Sequence, residues 1–178
     1  MYVLGIVGSP RIGGNTDILV DEVLAGAEEA GASTEKVVLN KLEIKPCQAC
    51  DSCYKTGSCM QKDDMNELLN KMLKSDVWIL GTPIYWWGPT AQFKAFLDRW
   101  YNPKHQEFKN KHVIIVIPLG GGHIRYARHA VGLLEDVIDY LEMELVDKII
   151  ATGLNSRGEV RNNLNLMNKA YTIGKNIV

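Results

Sequence analysis

The sequence lacks the features that mark a membrane protein or a nucleic-acid binder. Its longest apolar runs are seven or eight residues, whereas a membrane-spanning helix needs about 20. Lys and Arg total 20 against 21 Asp and Glu, for a net charge of −1, so no basic excess favours a phosphate backbone. The first five residues also lack the basic region of a signal peptide. We therefore expect a cytoplasmic protein that binds neither membrane nor nucleic acid.

Cysteine is absent from 165 of the 178 residues, because all four cysteines fall between Cys47 and Cys59. The rest of the composition is ordinary: 46% of the residues are apolar and 23% are charged, as in an average globular chain. The length suits one domain. We expect residues 1–178 to form a single domain that carries a cysteine-rich loop at residues 46–60.

Short apolar runs alternate with amphipathic helical patterns along the chain. The runs predict five strands, at Val3–Val7, Lys36–Leu39, Val77–Leu80, His112–Ile117 and Leu145–Thr152. The helical patterns predict five helices, beginning near Thr16, Asp64, Thr90, Tyr126 and Val160. Unbroken apolar strands are typical of a sheet covered on both faces, and crossovers between parallel strands are right-handed. The sequence predicts an α/β domain with a doubly wound, five-stranded parallel sheet and helices on both faces.

The loop after the first predicted strand has the composition of a phosphate-binding turn. It reads GSPRIGGNT at residues 8–16 and leads directly into a helix. Two features of the loop suit an anion: the glycine backbone, which at Gly14 is expected to approach a phosphate closely, and the charge of Arg11 beside a helix N-terminus. The loop lacks the Lys-Ser/Thr of a Walker motif and is not a G-x-G-x-x-G fingerprint. A plain polar turn with Asn15 as the helix N-cap remains the alternative.

Two further loops follow predicted strands, so they are expected at the same edge of the sheet. The first contains three consecutive aromatic residues, Tyr85, Trp86 and Trp87, between two prolines. Such residues either stack on a flat cofactor ring or form a subunit interface. The second contains Gly120–Gly122, where the backbone can approach the same ring closely.

The cysteine spacing is C-x2-C-x2-C-x5-C. A disulfide framework is disfavoured in a chain without an export signal, and structural zinc generally uses paired knuckles or a nearby histidine. A redox C-x-x-C couple leaves two cysteines without a role. The C-x2-C-x2-C run is the spacing of bacterial ferredoxins, although the fourth cysteine here departs from that motif. The spacing therefore favours an iron–sulfur cluster. A zinc site, and thiols that are redox-active or have no role, are the alternatives.

Several other polar residues have structural interpretations. Asp63 and Asp64 are predicted to cap a helix, and the Asp98-Arg99 pair is predicted to form a salt bridge. The four histidines have no metal-binding spacing, and His123 is the one nearest the expected site.

Four segments together resemble the flavodoxin-like flavin reductases: Gly8–Arg11, Gly14–Thr16, Pro83–Trp86 and Lys94–Arg99. With the compact cysteine run followed by Asp63-Asp64-Met65, the chain is similar to the iron–sulfur flavoproteins of anaerobic archaea and bacteria. The resemblance covers nearly all 178 residues, including the stretch from Gly153 to Glu159. It implies a flavodoxin-like fold, bound FMN, homodimers or dimers of dimers, and a [4Fe-4S] cluster that exchanges electrons with FMN.

The resemblance also assigns residues. It implies that Ser9, Arg11, Asn15 and Thr16 hold the FMN phosphate, with Gly14 close to it. The ring would be lined by the aromatic loop, Pro83, Ile84, Tyr85, Trp86, Trp87 and Gly88, and by Gly120, Gly121 and Gly122. The cluster would be ligated by Cys47, Cys50, Cys53 and Cys59.

Three functions follow as hypotheses. The first is a flavin-dependent oxidoreductase that passes electrons from a carrier such as ferredoxin through a [4Fe-4S] cluster to FMN and on to a small acceptor, of which oxygen and peroxide are what the family suggests. The second is an NAD(P)H-dependent FMN or quinone reductase whose cysteines bind zinc or carry no cluster. The third is a non-enzymatic flavin- or metal-binding module.

Overall fold

Five parallel strands in the order β2-β1-β3-β4-β5 form the centre of the computed structural model, which describes residues 1–178. The strands are β1 Tyr2–Val7, β2 Ser33–Val38, β3 Val77–Gly81, β4 His112–Pro118 and β5 Glu144–Ala151. The helices are α1 Asn15–Glu29, α2 Ser52–Thr56, α3 Met65–Lys74, α4 Ala91–Asp98, α5 Arg128–Tyr140 and α6 Leu164–Asn176. The predicted doubly wound sheet is confirmed, and its strand order is that of flavodoxin.

Two apolar cores lie on opposite faces of the sheet because successive strand residues alternate in direction. Leu4 and Ile6 of β1 pack with α3, α4 and α5, whereas Val3 and Val7 pack with α1 and α6. On the second face the two helices pack at very short range, since a Cβ at Gly174 would come within 1.8 Å of the Val23 carbonyl oxygen. Helices therefore cover both faces, as the sequence predicts. None of them combines the length and apolar character that crossing a membrane requires.

The boundaries of several elements differ from prediction at short 3-10 turns. The strand predicted at Lys36–Leu39 ends at Val38, because Leu39–Lys41 form such a turn. The last two helices begin at Arg128 and Leu164, a few residues late, for the same reason. The helix α2 inside the cysteine segment is not predicted at all, since five residues are too few to show helical periodicity.

The order of the strands places a crevice at one edge of the sheet. The chain moves outward from β1 to β2 and then crosses back to β3 on the other side of β1. Loops after β1 and β3 therefore diverge to opposite faces, and ligands bind in the gap that they leave. The Gly8 N–H donates to the Gly81 carbonyl oxygen at 2.7 Å, so the first residues of both loops are held together at this point.

Candidate functional site

A cavity of about 140 Å³ occupies this crevice, and all four loops that follow β1, β3, β4 and β5 contribute to it. Nine of the predicted flavin-site residues line it: Ser9, Arg11, Gly14, Asn15, Thr16, Pro83, Ile84, Tyr85 and Gly120. Five further lining residues are not among the predicted site residues: Pro118 and Leu119, which belong to the predicted loop after β4, and Leu154, Asn155 and Arg157, which belong to the loop after β5. The structure thus brings together residues that are more than 100 positions apart in the sequence.

The loop after β1 is folded tightly against the N-terminus of α1. The Gly14 N–H donates to the Arg11 carbonyl oxygen at 2.9 Å, and the Arg11 N–H donates to the Ser9 hydroxyl at 3.2 Å. A Cβ at Gly14 would come within 2.7 Å of the Arg11 carbonyl oxygen, so only glycine fits this turn without displacing Arg11. Asn15 and Thr16, the first two residues of α1, line the cavity, and the unpaired N–H groups of a first helical turn stabilise an anion.

A carboxylate and an ammonium group accompany this helix N-terminus. The carboxylate of Asp17, in the first turn of α1, accepts from the Gly13 N–H at 2.7 Å and pairs with the Lys36 ammonium group at 2.8 Å. Burial lowers the pKa of Lys36, but hydrogen bonds and charge from Asp17 and Asp21 outweigh it, so the pKa is raised. The charge of Lys36 therefore offsets the carboxylate that lies nearest the proposed anion.

Asn15 does not cap the helix as the alternative interpretation predicts. The N-cap is Gly14 in extended conformation, without a side-chain cap. The Asn15 amide instead donates to the Ser156 carbonyl oxygen at 2.9 Å and accepts from the Val160 N–H at 3.1 Å. Because both ends of this amide are engaged, its role is to tie the loop after β5 to the loop after β1.

The loop after β5 brings a second guanidinium group to the cavity. Arg157 donates to the Ile12 carbonyl oxygen in the first loop and lies beside Gly13, where an added Cβ would be 3.5 Å from the guanidinium. The sequence does contain a signal for this loop, since Arg157 sits between Gly153 and Gly158 directly after the last predicted strand. The crevice therefore takes residues from the loops after four strands, one more than the three loops that the sequence predicts.

The aromatic loop is divided between the cavity and the surface. Tyr85 lines the cavity, whereas Trp86 is 91% exposed. The turn puts two tryptophans in left-handed backbone, with φ of 48° at Trp86 and 63° at Trp87, a conformation that bulky residues rarely adopt. Trp87 packs at 6.4 Å against the ring of Tyr126. The backbone of this turn, and not the cavity, therefore sets where the two indoles lie.

Five predicted ring-lining residues do not line the crevice cavity, namely Trp86, Trp87, Gly88, Gly121 and Gly122. Trp87 instead borders a separate cavity of about 440 Å³ with Arg125, Tyr126, Arg128 and His129. Gly121 is held against Tyr126, because a Cβ there would meet that ring at 2.6 Å. His123 accepts a hydrogen bond from the Arg125 N–H at 3.1 Å and does not line the crevice cavity.

All four cysteines line a second cavity, of about 330 Å³, between the cysteine segment, α3 and the end of α4. Every thiol is free, and each is exposed or half-buried. The Cys53 sulfur is 3.8 Å from the Tyr101 carbonyl oxygen, and burial raises the pKa of this thiol. No group of three or more His, Cys, Asp or Glu side chains is close enough to hold one metal ion. The thiols share a cavity without converging on one point.

A buried ion pair borders the cysteine cavity and corrects the predicted roles of four residues. Arg99 pairs with Asp63 at 2.6 Å, and their side chains are 2% and 0% exposed. Asp98 pairs with Lys94 instead of Arg99, at 2.5 Å. Asp64 has no capping bond to α3; its carboxylate accepts from the Glu43 N–H at 2.7 Å.

Asp63 does accept from the Met65 N–H at 3.3 Å, so it supports the helix start from one residue before the N-cap. Its main partner is nevertheless Arg99, 36 residues away along the chain. Residue spacing carries no signal for such a pair. The sequence pattern therefore predicts only that Asp63 caps the nearest helix, whereas its main contact is with a residue far away in the sequence.

The sheet order and the crevice define the class of protein, a flavodoxin-like α/β protein. Solved structures of this class superpose on the whole chain: an NAD(P)H:quinone oxidoreductase from Methanothermobacter marburgensis gives a TM-score of 0.79 at 17% identity, covering 100% of this chain and 99% of its own. The model of the NADPH-dependent FMN reductase family matches residues 1–155. The chain belongs to this family of flavin-dependent oxidoreductases, and the predicted family is confirmed.

Two curated relatives are named iron–sulfur flavoproteins. One, from Methanocaldococcus jannaschii, is 46% identical over 99 residues, which are 56% of this chain and 51% of the relative. Another, from Archaeoglobus fulgidus, is 37% identical over 146 residues, which are 82% of this chain and 62% of the relative. The matched regions thus span about half to two thirds of the length of these relatives.

Proposed function

We propose that the chain is an FMN-containing oxidoreductase that takes up electrons at a [4Fe-4S] cluster in its cysteine pocket and delivers them at its flavin site. The observation that carries the proposal is the presence of two separate cavities on one chain. One is a glycine-rich crevice at a helix N-terminus, and the other is lined by all four cysteines. The two curated relatives described above carry both names, iron–sulfur and flavoprotein.

The crevice suits FMN by the chemistry of its lining. We assign the phosphate to the end of the cavity that holds Ser9, Arg11 and Thr16, with the N–H groups of Asn15 and Thr16, because the helix N-terminus and a guanidinium both favour an anion. Arg157 adds a second guanidinium at the same end. We assign the isoalloxazine ring to the opposite end, between residues 83–85 and Gly120. Flavin, when bound, supplies the two-electron chemistry, and the protein positions it.

The cysteine pocket suits a cluster better than a single ion. Zinc requires four ligands about 2.3 Å from one point, whereas the thiolates of a [4Fe-4S] cluster each ligate a different iron and therefore stand further apart. Four free thiols that share a cavity of about 330 Å³ without converging fit the second requirement. We therefore assign Cys47, Cys50, Cys53 and Cys59 as ligands and the segment 46–60 as the cluster-binding loop.

We propose a low-potential carrier such as ferredoxin as the electron donor and a small molecule as the acceptor. We also propose that residues 1–178 form one domain of a cytoplasmic homodimer or dimer of dimers. An apolar groove beside the cysteine segment supports association, because Tyr54, Tyr101 and Tyr140 are 48%, 58% and 81% exposed along it.

A second candidate function is direct reduction of the flavin by NAD(P)H. The cavity beside Trp87 favours it, because Arg125 and Arg128 offer charge to phosphates and Trp87 and Tyr126 offer rings to a base. This function does not need the cysteines. The two candidates therefore differ in what the loss of the thiols does to turnover.

Anaerobic preparation followed by iron, acid-labile sulfide and flavin analysis tests the proposal. We expect about four irons per chain, from the composition of the cluster, and one FMN, with a broad iron–sulfur shoulder beside the flavin absorption bands. Replacing all four cysteines by serine should abolish the shoulder and leave the flavin bands. Stoichiometric zinc, or full ferredoxin-linked turnover by the serine variant, would contradict the proposal. Turnover with NADPH that the serine variant keeps would favour the second candidate.

A further inference from the structure

Arg99 joins both ends of the cysteine segment to the end of α4. One of its terminal nitrogens donates to the Lys45 carbonyl oxygen at 2.9 Å and to the Asp63 carboxylate at 2.6 Å. The Asp63 carboxylate in turn accepts from the Lys45 N–H at 3.0 Å. Lys45 lies two residues before Cys47, and Asp63 lies four residues after Cys59. The Arg99 guanidinium therefore contacts both points where the segment leaves and rejoins the fold, and the Lys45–Asp63 hydrogen bond joins them directly.

The second terminal nitrogen of Arg99 reaches the cysteine pocket. It donates to the other Asp63 oxygen at 3.0 Å and lies 3.4 Å from the Cys59 sulfur. Arg99 also lines the cavity that the four thiols share. No other cationic side chain donates a hydrogen bond to a cysteine sulfur in the structure. Within the ion pair, the guanidinium and not the carboxylate therefore donates to the Cys59 sulfur.

A buried charge of this kind is costly, and its geometry limits what it can do. The Arg99 side chain is 2% exposed, so its charge is weakly screened by water. The rigid fork of guanidinium donors allows contact with a carboxylate, a carbonyl and a sulfur at once, whereas an ammonium group acts as a compact point charge. Packing alone would be satisfied by an apolar side chain, often with equal or greater stability. Unlike an apolar side chain, the guanidinium also donates to the Cys59 sulfur.

We propose that Arg99 is a positioning residue for the cysteine site: it closes the segment before any metal is bound, and its N–H group at Cys59 favours the reduced, more negatively charged state of the centre held there. The inference rests on the proposed function. Hydrogen bonds to the sulfurs are one determinant of iron–sulfur potentials. Asp63 restrains the same effect, because its carboxylate offsets part of the guanidinium charge.

The two partners therefore have opposite expected effects on the midpoint potential, which a merely structural role would not produce. Arg99→Gln should change the ratio of oxidised to reduced centre about tenfold towards oxidised, a shift of about 59 mV to lower potential for one electron. Asp63→Asn keeps an acceptor for Lys45 but leaves the guanidinium uncompensated, so the potential should rise. Arg99→Lys should fall between the wild type and Arg99→Gln. Lys94→Gln, on the same helix but solvent-exposed, is the matched control and should match the wild type.

The experiment measures potential by redox titration of the anaerobic holoprotein, and in parallel the rate of proteolysis within residues 46–62 in metal-free protein. Arg99→Gln should accelerate cleavage there several-fold while FMN binding is retained. An Arg99→Gln variant that folds and binds FMN but assembles no centre would support the positioning role, and Asp63→Asn would then decide the sign at the sulfur.

Four results would overturn the role of Arg99. Three of them are an unchanged potential in loaded Arg99→Gln, shifts of the same sign in Arg99→Gln and Asp63→Asn, and unchanged proteolysis in the metal-free variant. Loss of FMN binding together with the fold in both Arg99→Gln and Arg99→Lys would also overturn it, since the role would then be global. A wild-type protein without iron contradicts the proposed function instead, which the iron analysis reports separately.

Discussion

The crevice and the cysteine pocket are built in opposite ways. The crevice lies where four parallel strands end, and its first and third loops are joined by backbone hydrogen bonds to the sheet. The cysteine pocket lies in a segment whose only helix is five residues long and has no buried residue. The Arg99–Asp63 ion pair is buried at the two ends of this segment, and hydrogen bonds of Lys45 with Asp63 and of Glu43 with Asp64 join the same ends. The fold itself positions the first site, whereas a few contacts at the ends of the segment position the second.

This difference has consequences for local stability. A segment with few buried apolar contacts opens at a lower free energy than the core around it, so damage to its attachment should remain local. Damage in the crevice loops should instead appear as a loss of ligand affinity with little change in the core. Substitutions at the two sites should therefore have different effects: local opening at the cysteine segment and weaker ligand binding at the crevice.

The largest expected effect comes from Asp63→Ala. Removing one partner of a buried ion pair costs about 3–5 kcal/mol, because it leaves the Arg99 charge unpaired. We expect the cysteine segment to open, so that amide hydrogen exchange at residues 46–62 becomes much faster while FMN affinity changes little. Glu43→Ala, which removes an exposed carboxylate close to the point where the cysteine segment leaves the fold, is the control. Unchanged amide hydrogen exchange at residues 46–62 in Asp63→Ala would show that this ion pair does not hold the cysteine segment in place.

The next effect is on the crevice. Arg11→Ala should weaken FMN binding by about 1–3 kcal/mol, the range for a charge-assisted contact with a phosphate. Fluorescence titration with FMN measures it, with Lys55→Ala in the cysteine segment as the matched loss of one cation. Equal flavin affinity in Arg11→Ala and wild type would remove the loop after β1 from the phosphate site.

How far the sequence predicts each region follows the same division. The doubly wound sheet and nine crevice residues follow from strand-ending loops, because a parallel sheet brings all such loops to one edge. Arg157 is not among the predicted residues, because the prediction rests on three of those loops and Arg157 lies in the fourth. The Arg99–Asp63 pair has no sequence signal, since a contact across 36 residues depends on how α4 packs. The position of Trp86 is not predicted either, because nothing in the sequence marks a left-handed turn there.

A smaller effect is expected at that turn. Trp86 is 91% exposed and has φ of 48°, so it contributes strain and, among the rings, contacts only Trp87, with the ring centroids 6.1 Å apart. Trp86→Asn should raise the free energy of unfolding by about 1 kcal/mol, because asparagine tolerates left-handed backbone better. Chemical denaturation measures the change. Trp87→Asn should gain less, since Trp87 loses its contact with Tyr126; a destabilised Trp86→Asn would show that the exposed indole stabilises the fold.

The smallest effect near neutrality is that of pH on the cysteine segment. Burial raises the pKa of Asp63, but hydrogen bonds from Arg99 and from the Lys45 N–H outweigh it and hold the pKa below its usual value. Its stabilisation is therefore fully present above the ordinary carboxyl pKa and is lost as pH falls through the lowered value. Hydrogen exchange at residues 46–62 should accelerate only in acid. Asp63→Asn should lack this acid step, and an identical profile in that variant would assign it to another group.

The two ends of the cysteine segment meet at Glu43 and Asp64, and this has a consequence for how such proteins diversify. Glu43 and Asp64 exchange two hydrogen bonds, from the Glu43 N–H to the Asp64 carboxylate and from the Asp64 N–H to the Glu43 carbonyl oxygen, at 2.7 and 3.1 Å. Residues 44–63 thus enter and leave the domain at one point. Because the entropy of closing a loop grows only slowly with its length, insertions or deletions between these ends leave the sheet untouched. A segment at this place can therefore be gained, resized or lost while the five-stranded domain stays the same.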